Sequence, residues 1–308
     1  LKNGRRLTIE NGMLINSSTV ENSGTIIVGT NLKNEGTITN KDNGTISIGG
    51  DLENSGTINT NSAIEVPGAL SNNGAISGSN YSISAYGNVS LLGGTITGYS
   101  AFNLINTNSR FNNTFYVDSS YTLPSLTIQE GGFDFNIIDT LTIENILTNN
   151  GMLNVQNGTL IVPTTYEGTG VICVYDGTNT KITDFNGTGD IYLFKGSNLT
   201  ITNYAGTGKI YLEEGATLTI EKDATIPNLV IQTTTDETDF ATISTTGTLT
   251  ISSATYNNAD IQTNGIIKLP DTTEDNKIGK LKIKSGELTI ETLYAANLTN
   301  DGTLSTKT

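Results

Sequence analysis

A short phrase, Leu-x-Asn-x-Gly-Thr-Ile, recurs at a nearly constant interval and constrains the fold more than any other feature of the sequence. It begins at Leu32 and again at Leu52, it returns in a looser form from Leu70, and in a fourth copy Leu92 stands where the asparagine is expected. The glycines of the four copies are Gly36, Gly56, Gly74 and Gly94. Repetition at such an even interval is typical of a solenoid, in which each repeat is one turn that packs on its neighbours.

A second array, over residues 164–220, is more regular than the first. Its three 19-residue units, 164–182, 183–201 and 202–220, follow one another without a gap, and each opens with the pattern Thr-x-(Tyr or Phe)-x-Gly-Thr-Gly-x-Ile. The positions that align in the three units are Tyr166, Phe185 and Tyr204; Ile172, Ile191 and Ile210; Val174, Leu193 and Leu212; and Ile182, Ile201 and Ile220. Because the phrase of the first array also returns over 147–153 and 298–304, one architecture is predicted along nearly the whole chain.

Within each repeat, apolar residues alternate with Thr and Ser over short runs such as LTIENGMLI and NLTITN, which is the pattern of a half-buried strand. A period of about 20 residues with two or three short strands is typical of one coil of a parallel β-helix. We therefore predict an all-β chain that forms a single right-handed parallel β-helix of about 15 coils, with 19–20-residue rungs. The right-handed sense follows from the crossover rule for parallel strands.

The repeats divide the predicted helix into three stretches within one continuous domain, 1–308. Residues 1–98 form 20-residue rungs, 99–146 form an irregular segment rich in aromatic residues, and 147–308 form 19-residue rungs and loops. Alternation directs Ile, Leu and Val inward and Thr, Ser, Glu and Lys outward. The expected core positions of the first stretch, besides the isoleucines of the phrase, are Ile26, Ile46, Ile64 and Ile83.

Stacked coils place equivalent side chains about 4.8 Å apart, so each aligned position predicts a ladder. An amide ladder is expected along the corner where the glycines of the phrase allow left-handed backbone, at Asn34, Asn54 and Asn72. Ladders of opposite charge are expected in the second array at Asp190 and Lys209, and at Asp176, Lys195 and Glu214. Exposed pairs of this kind contribute about 0–1 kcal/mol each, so their role is to fix the register.

Composition excludes several functional classes. The formal net charge is −14, and arginine occurs only at Arg5, Arg6 and Arg110, so we expect no binding to nucleic acid or to anionic membranes. The sequence has no run of about 18 apolar residues, so no transmembrane segment is predicted. The chain begins LKNGRRLTIE without a methionine or a signal peptide, which we interpret as a mature or trimmed fragment.

Histidine is absent, so the side chains left for proton transfer are Asp, Glu, Lys and Tyr. The acidic residues are dispersed apart from two groups in turn-like segments: Asp236, Glu237 and Asp239, and Asp271, Glu274 and Asp275. We interpret both groups as solvated loops; a calcium site and a carboxylate pair for glycoside cleavage are the alternatives. No enzymatic activity, catalytic residue, metal site or cofactor is therefore expected. Cys173 is expected to point outward on a strand without reactivity, because no basic residue or histidine is near it in sequence.

Residues 99–135 concentrate aromatic residues in a stretch that interrupts the repeat. The eight candidates for ligand binding are Tyr99, Phe102, Phe111, Phe115, Tyr116, Tyr121, Phe133 and Phe135. Two interpretations stay open. Exposed rings would stack on sugar rings, because insertions in a solenoid gather on one face and carry recognition. Buried rings would instead fill a core that widens where the coil changes its cross-section.

Two rows of outward residues suggest a further alternative. The aligned residues are Thr37, Thr57 and Thr95 in one row and Thr39, Asn59, Ser77 and Thr97 in the other. Regular Thr-x-Thr rows on a flat β-helix face are what an ice-binding surface requires. Ala75 and Asn59 interrupt the rows, and Thr favours strands in any case, so ice binding is the weaker alternative.

The phrase L-x-N-x-G-T-I, together with GGTITG at 93–98, resembles the haemagglutinin-type repeats of filamentous adhesins and autotransporter passenger domains. The resemblance covers about half of the chain, mainly residues 20–98 and 147–160. It implies a secreted, surface-exposed right-handed β-helix that acts as a spacer or scaffold in adhesion. The 19-residue array departs from that pattern, and the sequence shows no secretion-domain signature.

We therefore expect a structural or adhesive β-helix, secreted or on the cell surface, without catalytic activity. The alternative is a carbohydrate-binding or carbohydrate-active protein on the same scaffold. Expected partners are neighbouring repeat segments or surface carbohydrate. Both ends have the pattern of rungs without a capping helix, LKNGRRLTIENGMLI at the start and LTNDGTLSTKT at the end. Such ends are expected of a rod cut from a longer one, or of copies that stack end to end into a filament.

Overall fold

The computed structural model describes residues 1–2, 4–108, 110–233 and 239–305. The described residues form strands and turns and no helix, and successive strands pair in parallel as a β-solenoid of about 15 turns with ~19-residue rungs. The predicted all-β fold of stacked parallel coils is therefore confirmed. The chain forms two compact units, Leu1–Met152 and Leu153–Thr308. The single continuous domain over 1–308 stays a prediction.

Each coil contributes short strands, and some strands continue round a corner from one face to the next. The strands of the first unit are β1 (Arg6–Ile9), β2 (Leu14–Asn16), β3 (Thr19–Asn22), β4 (Thr25–Val28), β5 (Leu32–Asn34), β6 (Thr37–Asn40), β7 (Thr45–Ile48), β8 (Leu52–Asn54), β9 (Thr57–Asn59), β10 (Ile64–Val66), β11 (Leu70–Asn72), β12 (Ala75–Ala85), β13 (Val89–Leu91), β14 (Thr95–Ile105), β15 (Asn113–Val117), β16 (Tyr121–Glu130) and β17 (Gly132–Asn149). The strand β18 begins at the last residue of the first unit. The strands from there on are β18 (Met152–Glu167), β19 (Val171–Val174), β20 (Asn179–Phe185), β21 (Ile191–Leu193), β22 (Asn198–Tyr204), β23 (Ile210–Glu213), β24 (Thr217–Ile220), β25 (Ala224–Ile226), β26 (Leu229–Gln232), β27 (Ala241–Ile251), β28 (Ala254–Thr255), β29 (Ile261–Lys268), β30 (Ile278–Thr289), β31 (Ala295–Asn300) and β32 (Thr303–Ser305).

Three faces, which we name A, B and C, surround the core of the first unit. Face A contains β1, β4 and β7, and it continues with β10 and the later parts of β12, β14 and β16. Face B is an unbroken ladder of β2, β5, β8, β11, β13, β15 and the start of β17. Face C stacks β3, β6, β9 and the first residues of β12 and β14. The core lies between the three faces.

Alternation along the strands separates core from surface as predicted. The isoleucines expected in the core of face A are all buried: Ile26, Ile46, Ile64 and Ile83. The outward threonines of face C are also in the predicted register, with Thr37 beside Thr57 and Ala75 beside Thr95. Ice binding by these rows stays a prediction.

The 19-residue array of the second unit has the predicted register in all four columns. Ile191, for example, pairs with Ile172 on one side and with Ile210 on the other, and its side chain is 1% exposed. The aligned aromatic rings stack as a buried column, with centroids 4.8 Å apart for Tyr166 and Phe185 and 5.5 Å apart for Phe185 and Tyr204. Each repeat therefore stacks its own copy of the same side chains on the repeat before it.

The glycines of the Leu-x-Asn-x-Gly-Thr-Ile phrase are required for a different reason from the predicted one. None of Gly36, Gly56 and Gly74 has a positive φ. A Cβ on any of them would collide with a backbone carbonyl oxygen of the preceding coil, for instance that of Gly36 at Gly56. The absent side chain therefore allows successive corners to approach closely. Left-handed corner glycines do occur in the second array, with φ of 70°, 78° and 87° at Gly177, Gly196 and Gly215.

A buried ladder of amides joins one corner of the first coils, as predicted. Asn34 donates from Nδ2 to Oδ1 of Asn54 at 2.8 Å, and Asn54 donates to Asn72 in the same way at 2.8 Å. Asn16 adds a further member, because its Nδ2 donates to Oδ1 of Asn34 at 2.8 Å. A second, unpredicted ladder runs along another corner through Asn22, Asn40 and Thr60. The side chains of both ladders are at most 9% exposed, so their hydrogen bonds replace those that water would make.

In the coil after Asn72, the position of the ladder asparagine is occupied by Leu91, so the first amide ladder ends at Asn72. The sequence pattern had predicted Leu92, the next residue, at this position. Asn72 pairs with Leu91 across the coils. The turn between Leu91 and Thr95 is longer by one position than the turn between Asn72 and Ala75, and it contains Gly93 with a φ of 81°. An insertion in a turn therefore displaced the alignment that the sequence suggested.

Replacing Ile191 by Asp tests the assignment of core and surface in the second unit. The new carboxylate would lie between two isoleucines without a partner, so we expect the free energy of unfolding to fall by more than about 3 kcal/mol. Asn198→Asp is the matched control, because Asn198 is an exposed residue of the same 19-residue unit and its change should stay within about 0.5 kcal/mol. Chemical denaturation measures both variants, and equal stabilities would contradict the assignment.

Asn34→Leu tests the amide ladder at its middle. The change leaves the amides of Asn16 and Asn54 without their shared partner, and we expect a loss of about 2–4 kcal/mol in the free energy of unfolding. Asn72→Leu, at the end of the ladder, should cost at least about 1 kcal/mol less, because only Asn54 loses a ladder partner. Thermal and chemical denaturation of both variants measure the difference. Equal costs would show that the amides do not depend on one another.

Candidate functional site

The structure places six of the eight predicted ligand-binding aromatic residues inside the first unit. Their side chains are at most 9% exposed: Tyr99, Phe102, Phe115, Tyr121, Phe133 and Phe135. Tyr116 is half-buried, and Phe111 is 72% exposed. The six buried rings occupy the core, as the second interpretation of this segment proposed. Of the eight, Phe111 and Tyr116 are left with surface that a ligand could contact.

Four of the six buried rings form a continuous run that also includes Tyr81. Centroid distances between successive rings are 6.3, 6.0, 6.5 and 4.6 Å along Tyr81, Tyr99, Phe102, Phe115 and Phe135. Aromatic pairs of this geometry contribute about 0.5–1.5 kcal/mol each beyond the burial of their area. Tyr81 was missed from sequence because it precedes the aromatic-rich stretch, although it pairs with Tyr99 one coil later.

Residues 99–146 are mostly strand, in β14 to β17, and the irregularity that the broken repeat predicted is confined to one longer coil. One coil of face B advances from Leu70 to its partner Val89, whereas the next advances from Val89 to Phe115, a distinctly longer step along the chain. The additional residues lie in the loop between β14 and β15, which carries Phe111.

The parallel ladder of face C is interrupted where the aromatic rings lie. The first residues of β14, 95–97, pair with β12 of the preceding coil. The first residues of β16, 121–123, pair with β17 of the following coil. Among the residues that the structure describes, β14 and β16 pair only from Asn103 onward, and no backbone hydrogen bond joins 93–97 to 119–124. Two neighbouring coils are therefore separated over one strand length.

The hydroxyl group of Tyr99 takes the place of the missing strand at one end of this gap. It donates to the carbonyl oxygen of Ser125 at 2.7 Å and accepts from the N–H of Ser125 at 3.1 Å. Both backbone groups of Ser125 are thus satisfied by a side chain instead of by the neighbouring coil. The hydroxyl of Tyr81, which lies in the coil before β14, donates to the carbonyl oxygen of Thr97 at 3.1 Å. The Tyr99 hydroxyl therefore satisfies backbone groups that the separation of β14 from β16 leaves unpaired.

Face A has an interruption of its own, between β7 and β10, but there a side chain crosses directly between the coils. Ser62 donates from its hydroxyl to the carbonyl oxygen of Gly44 at 2.7 Å. The two interruptions differ because no large ring is inserted at this one. The separation on face C is the one that produces a cleft.

Burial keeps the tyrosine hydroxyls at the interruption of face C protonated. Desolvation raises the pKa of Tyr121 to about 12 and raises the pKa of Tyr81 and of Tyr99 well above its ordinary value. Each hydroxyl therefore stays neutral through the physiological range and remains a hydrogen-bond donor. Tyr81 and Tyr99 act as structural donors rather than as general bases.

The cleft between the separated coils has a volume of about 420 Å³, within the roughly 300–1,000 Å³ that is usual for small-ligand sites. One wall is formed by residues 93–97 and the other by residues 119–122 with Pro124. The side chains that line it carry mainly hydroxyl groups, from Thr95, Thr97, Ser119, Ser120 and Thr122. Glu144 adds a carboxylate, and no Lys or Arg is among the lining residues. We name this site the face C cleft.

A second group of half-buried aromatic residues lies in the second unit and was not identified as a candidate from sequence. The rings of Tyr192 and Tyr211 are parallel with centroids 4.3 Å apart, and those of Tyr175 and Phe194 stack at 4.5 Å. Each pair recurs at the period of the 19-residue array, which was the signal that could have identified them. Because the rings stack on one another, much of each aromatic face is covered by its own neighbour.

A cleft of about 450 Å³ adjoins Tyr175 and Phe194. Its charged lining residues are Asp176, Lys195, Glu213 and Asp239. The ammonium group of Lys195 lies 2.6 Å from Oδ2 of Asp239, so the lysine of this cleft already has a carboxylate partner. This cleft therefore consists of an exposed ion pair beside two stacked aromatic rings.

Carboxylates at the coil corners bond to the backbone of neighbouring coils. Five aspartates each accept a hydrogen bond of 2.7–2.8 Å from a backbone N–H of the following coil: Asp51, Asp190, Asp223, Asp260 and Asp271. The amide oxygens of Asn31, Asn61 and Asn88 bond to backbone N–H groups in the same way. These side chains compensate for backbone donors that the turns leave without a strand partner.

The predicted charge ladders of the second array take a different form. Asp190 and Lys209 are adjacent, but the contact between them is the hydrogen bond from the backbone N–H of Lys209 to Oδ1 of Asp190. Lys195 forms its ion pair with Asp239, and Glu214 is buried at 2% exposure, where it accepts from the N–H of Asp260 at 2.8 Å. The prediction of an exposed column of Asp176, Lys195 and Glu214 was therefore wrong, because Glu214 is buried and bonds to the backbone of a later coil.

Two acidic groups were identified from the sequence as candidates. Their described members do not converge on one site. Asp236 and Glu237 lie outside the described residues, and Asp239 forms the ion pair with Lys195. Asp271 bonds to the N–H of Thr292, and Glu274 and Asp275 are exposed in a turn. Over residues 1–2, 4–108, 110–233 and 239–305, no group of three or more acidic or cysteine side chains is arranged to hold a metal ion. The part of the chain that the structure describes contains no helix that could cross a membrane.

Cys173 lies between two core residues on β19 and is itself buried, at 7% exposure. The prediction that it points to the outer surface was correct in register, because it pairs with Tyr192 of the half-buried outer column. The thiol is nevertheless buried at this position.

Comparison of the chain with protein-family models, with curated proteins and with solved structures found no match. The parallel β-solenoid is the fold that the resemblance to haemagglutinin-type repeats implies. Function must therefore be inferred from the face C cleft and from the chemistry of the surfaces.

Tyr99→Phe tests whether the phenol replaces the missing strand. The change keeps the ring but leaves the N–H and the carbonyl oxygen of Ser125 without this partner, so we expect a loss of about 1–3 kcal/mol in the free energy of unfolding. Tyr116→Phe is the matched control, because the half-buried Tyr116 lies in the next coil, and its loss should stay within about 0.5 kcal/mol. Denaturation of both proteins in urea gives the comparison. A Tyr99→Phe protein as stable as the control would contradict the proposed bridge.

Proposed function

We propose that this chain is a non-catalytic β-solenoid with a structural or adhesive role, secreted or displayed on a cell surface. It presents a scaffold of stacked coils rather than a reaction centre. The finer assignment, to adhesins built from haemagglutinin-type repeats, is part of this proposal and rests on the repeated phrase and on GGTITG at 93–98.

The observation that carries the proposal is the use that the fold makes of its carboxylates. Enzymes that cleave polysaccharides without histidine depend on acidic residues that converge on a substrate and have shifted pKa values. Here the corner aspartates hold backbone N–H groups of neighbouring coils, and other acidic side chains pair with lysines, as Glu21 does with Lys41 at 2.6 Å. Their arrangement is one that stabilises the solenoid.

The surface chemistry also supports an adhesive role better than binding to nucleic acid or anionic lipid. The net charge of −14 repels polyanions, and the outward faces are rich in Thr, Ser and Asn, which exchange hydrogen bonds readily with polar surfaces. Surface carbohydrate is accordingly the partner that we propose.

Self-association is a second candidate role, favoured by the outermost coils. Leu7 continues the core column of Ile26 but is 42% exposed, and Leu298 continues the core column of Leu281 but is 47% exposed. Burial of each column by a further coil would remove this apolar area from water. Copies of the chain that stack on these coils would supply such a partner.

Two measurements on one preparation test the proposed function. Incubation with a panel of polysaccharides should give no new reducing ends above a protein-free blank, whereas beads coated with the protein should be retained on intact bacterial, plant or animal cells. Beads coated with heat-unfolded protein are the control for non-specific retention. Product formation in proportion to protein concentration would overturn the proposal, as would retention equal to that of the control beads. Sedimentation velocity at rising concentration reports whether copies associate.

A further inference from the structure

We propose that the face C cleft is a binding site for a short segment of neutral carbohydrate. The inference rests on the proposed adhesive function and adds to it the place and the chemical class of the ligand. It follows from three properties of the cleft: backbone groups without a ladder partner, walls rich in hydroxyl groups, and a lining that includes a carboxylate but no Lys or Arg.

The first property comes from the geometry of a parallel ladder. In such a ladder, alternate residues direct both backbone groups to the same neighbouring strand. Thr95 donates its N–H to Gly74 in the preceding coil at 2.8 Å, so Ile96 directs its N–H and carbonyl oxygen to the other side. On that side the strand at 121–123 is not paired with it, and Ile96 lines the cleft. The cleft therefore offers a donor and an acceptor from the main chain.

The opposite wall of the cleft also has backbone groups without a strand partner. Residues 121–123 pair with 141–143 in the following coil, which leaves the side that faces the cleft without a strand. Tyr99 satisfies this wall only at Ser125, beyond the cleft residues. The two walls thus present unpaired main-chain groups to each other across the gap.

The second property favours a sugar as the group that fills the gap. Each sugar hydroxyl both donates and accepts, so one ring can satisfy closely spaced donors and acceptors at once. The hydroxyls of Thr95, Thr97 and Thr122 can do the same from the walls, whereas those of Ser119 and Ser120 already donate to Asp118 and Asp139 and are left as acceptors. Pro124 supplies a half-buried apolar surface for the C–H face of a ring. Binding through several neutral hydrogen bonds is selective for a polyhydroxylated ligand.

An extended peptide is less well matched to the same gap. A peptide that adds a strand gains affinity from main-chain bonds but needs pockets for alternate side chains. The inward positions of the cleft are already closed, because Ile96 is 1% exposed and Tyr121 is 6% exposed. A peptide strand would therefore have no pocket for its inward side chains.

The third property sets the charge of the ligand. Glu144 is exposed at the rim, no Lys or Arg lines the cleft, and the whole chain is acidic. A uronic acid or a sulfated sugar would be repelled by this acidic surface, whereas a neutral sugar would not be. The geometry therefore points to neutral sugars in preference to anionic ones.

Saturation-transfer NMR with free oligosaccharides tests this proposal. The probes are cello-, xylo-, malto-, manno- and chito-oligosaccharides, an oligogalacturonate as the anionic comparison, and a short Thr-Val-Thr-Val-Thr peptide as the strand comparison. We expect at least one neutral sugar to bind and the oligogalacturonate and the peptide to bind at least about tenfold more weakly or not at all.

Variants that fill the cleft locate the binding. Thr122→Tyr and Thr95→Tyr place a ring in the cleft from opposite walls, and each should weaken binding of the neutral sugar at least about tenfold. Thr57→Tyr is the matched control: Thr57 is on face C, where its strand pairs on both sides, and the change should leave binding unaltered. Circular dichroism and thermal melting verify that each variant is folded, and the two filling variants are independent of each other.

Several outcomes would overturn the inference. They are the absence of binding by every neutral sugar in the panel, binding that survives both filling variants, tighter binding of the anionic sugar, and tighter binding of the peptide. Because this assay uses free sugar and no surface, its failure leaves the bead-retention result unaffected. Failure of the inference and failure of the proposed function are therefore distinguishable.

Discussion

The hydrogen-bonded ladder between successive coils is the interaction on which the other features of this protein depend. In a parallel solenoid each coil satisfies its backbone through the next, and equivalent residues come to lie about 4.8 Å apart. That spacing explains why the sequence repeats itself, since any residue that suits one coil suits the same position in its neighbours. The buried asparagine ladder of Asn16, Asn34, Asn54 and Asn72 exists only because the backbone ladder holds these amides in register. The small corner glycines are required for the same reason, because larger residues would force the coils apart.

Turns are the weak points of such a ladder, and polar side chains compensate for them. At a corner the backbone changes direction, and some N–H groups no longer point at a strand. Asp and Asn side chains of the preceding coil accept from these groups, as Asp51 does from Ala69 and Asp271 does from Thr292. Much of the acidic character of the sequence is therefore part of the structure. An excess of carboxylates, which from sequence alone suggests calcium or catalysis as alternatives, here has a role in holding coils together.

The face C cleft shows how a local departure from the repeat can create a site. Aromatic rings fill the core at this point, one loop of the coil is longer, and the two coils separate on face C. The separation would leave backbone groups of Ser125 unpaired at considerable cost, but the hydroxyl of Tyr99 satisfies both of them. Beyond the reach of that hydroxyl, the main chain is open to water or to a ligand. Regular proteins often depart from their own rules at functional sites, and this cleft is the clearest such departure in the described part of the first unit.

The repeat period and the alternation of apolar and polar residues were enough to predict the fold, the core columns and the asparagine ladder. These features are local and periodic, so the sequence expresses them directly, as in the register of Ile191 with Ile172 and Ile210. What the sequence could not show was how coils of unequal length accommodate each other. A longer turn at Gly93 displaced the ladder position to Leu91, and six candidate ligand-binding rings pack into the core. Whether an aromatic residue faces a ligand or widens the core depends on the volume that its neighbours enclose, and that volume is set only by the packing of the whole coil.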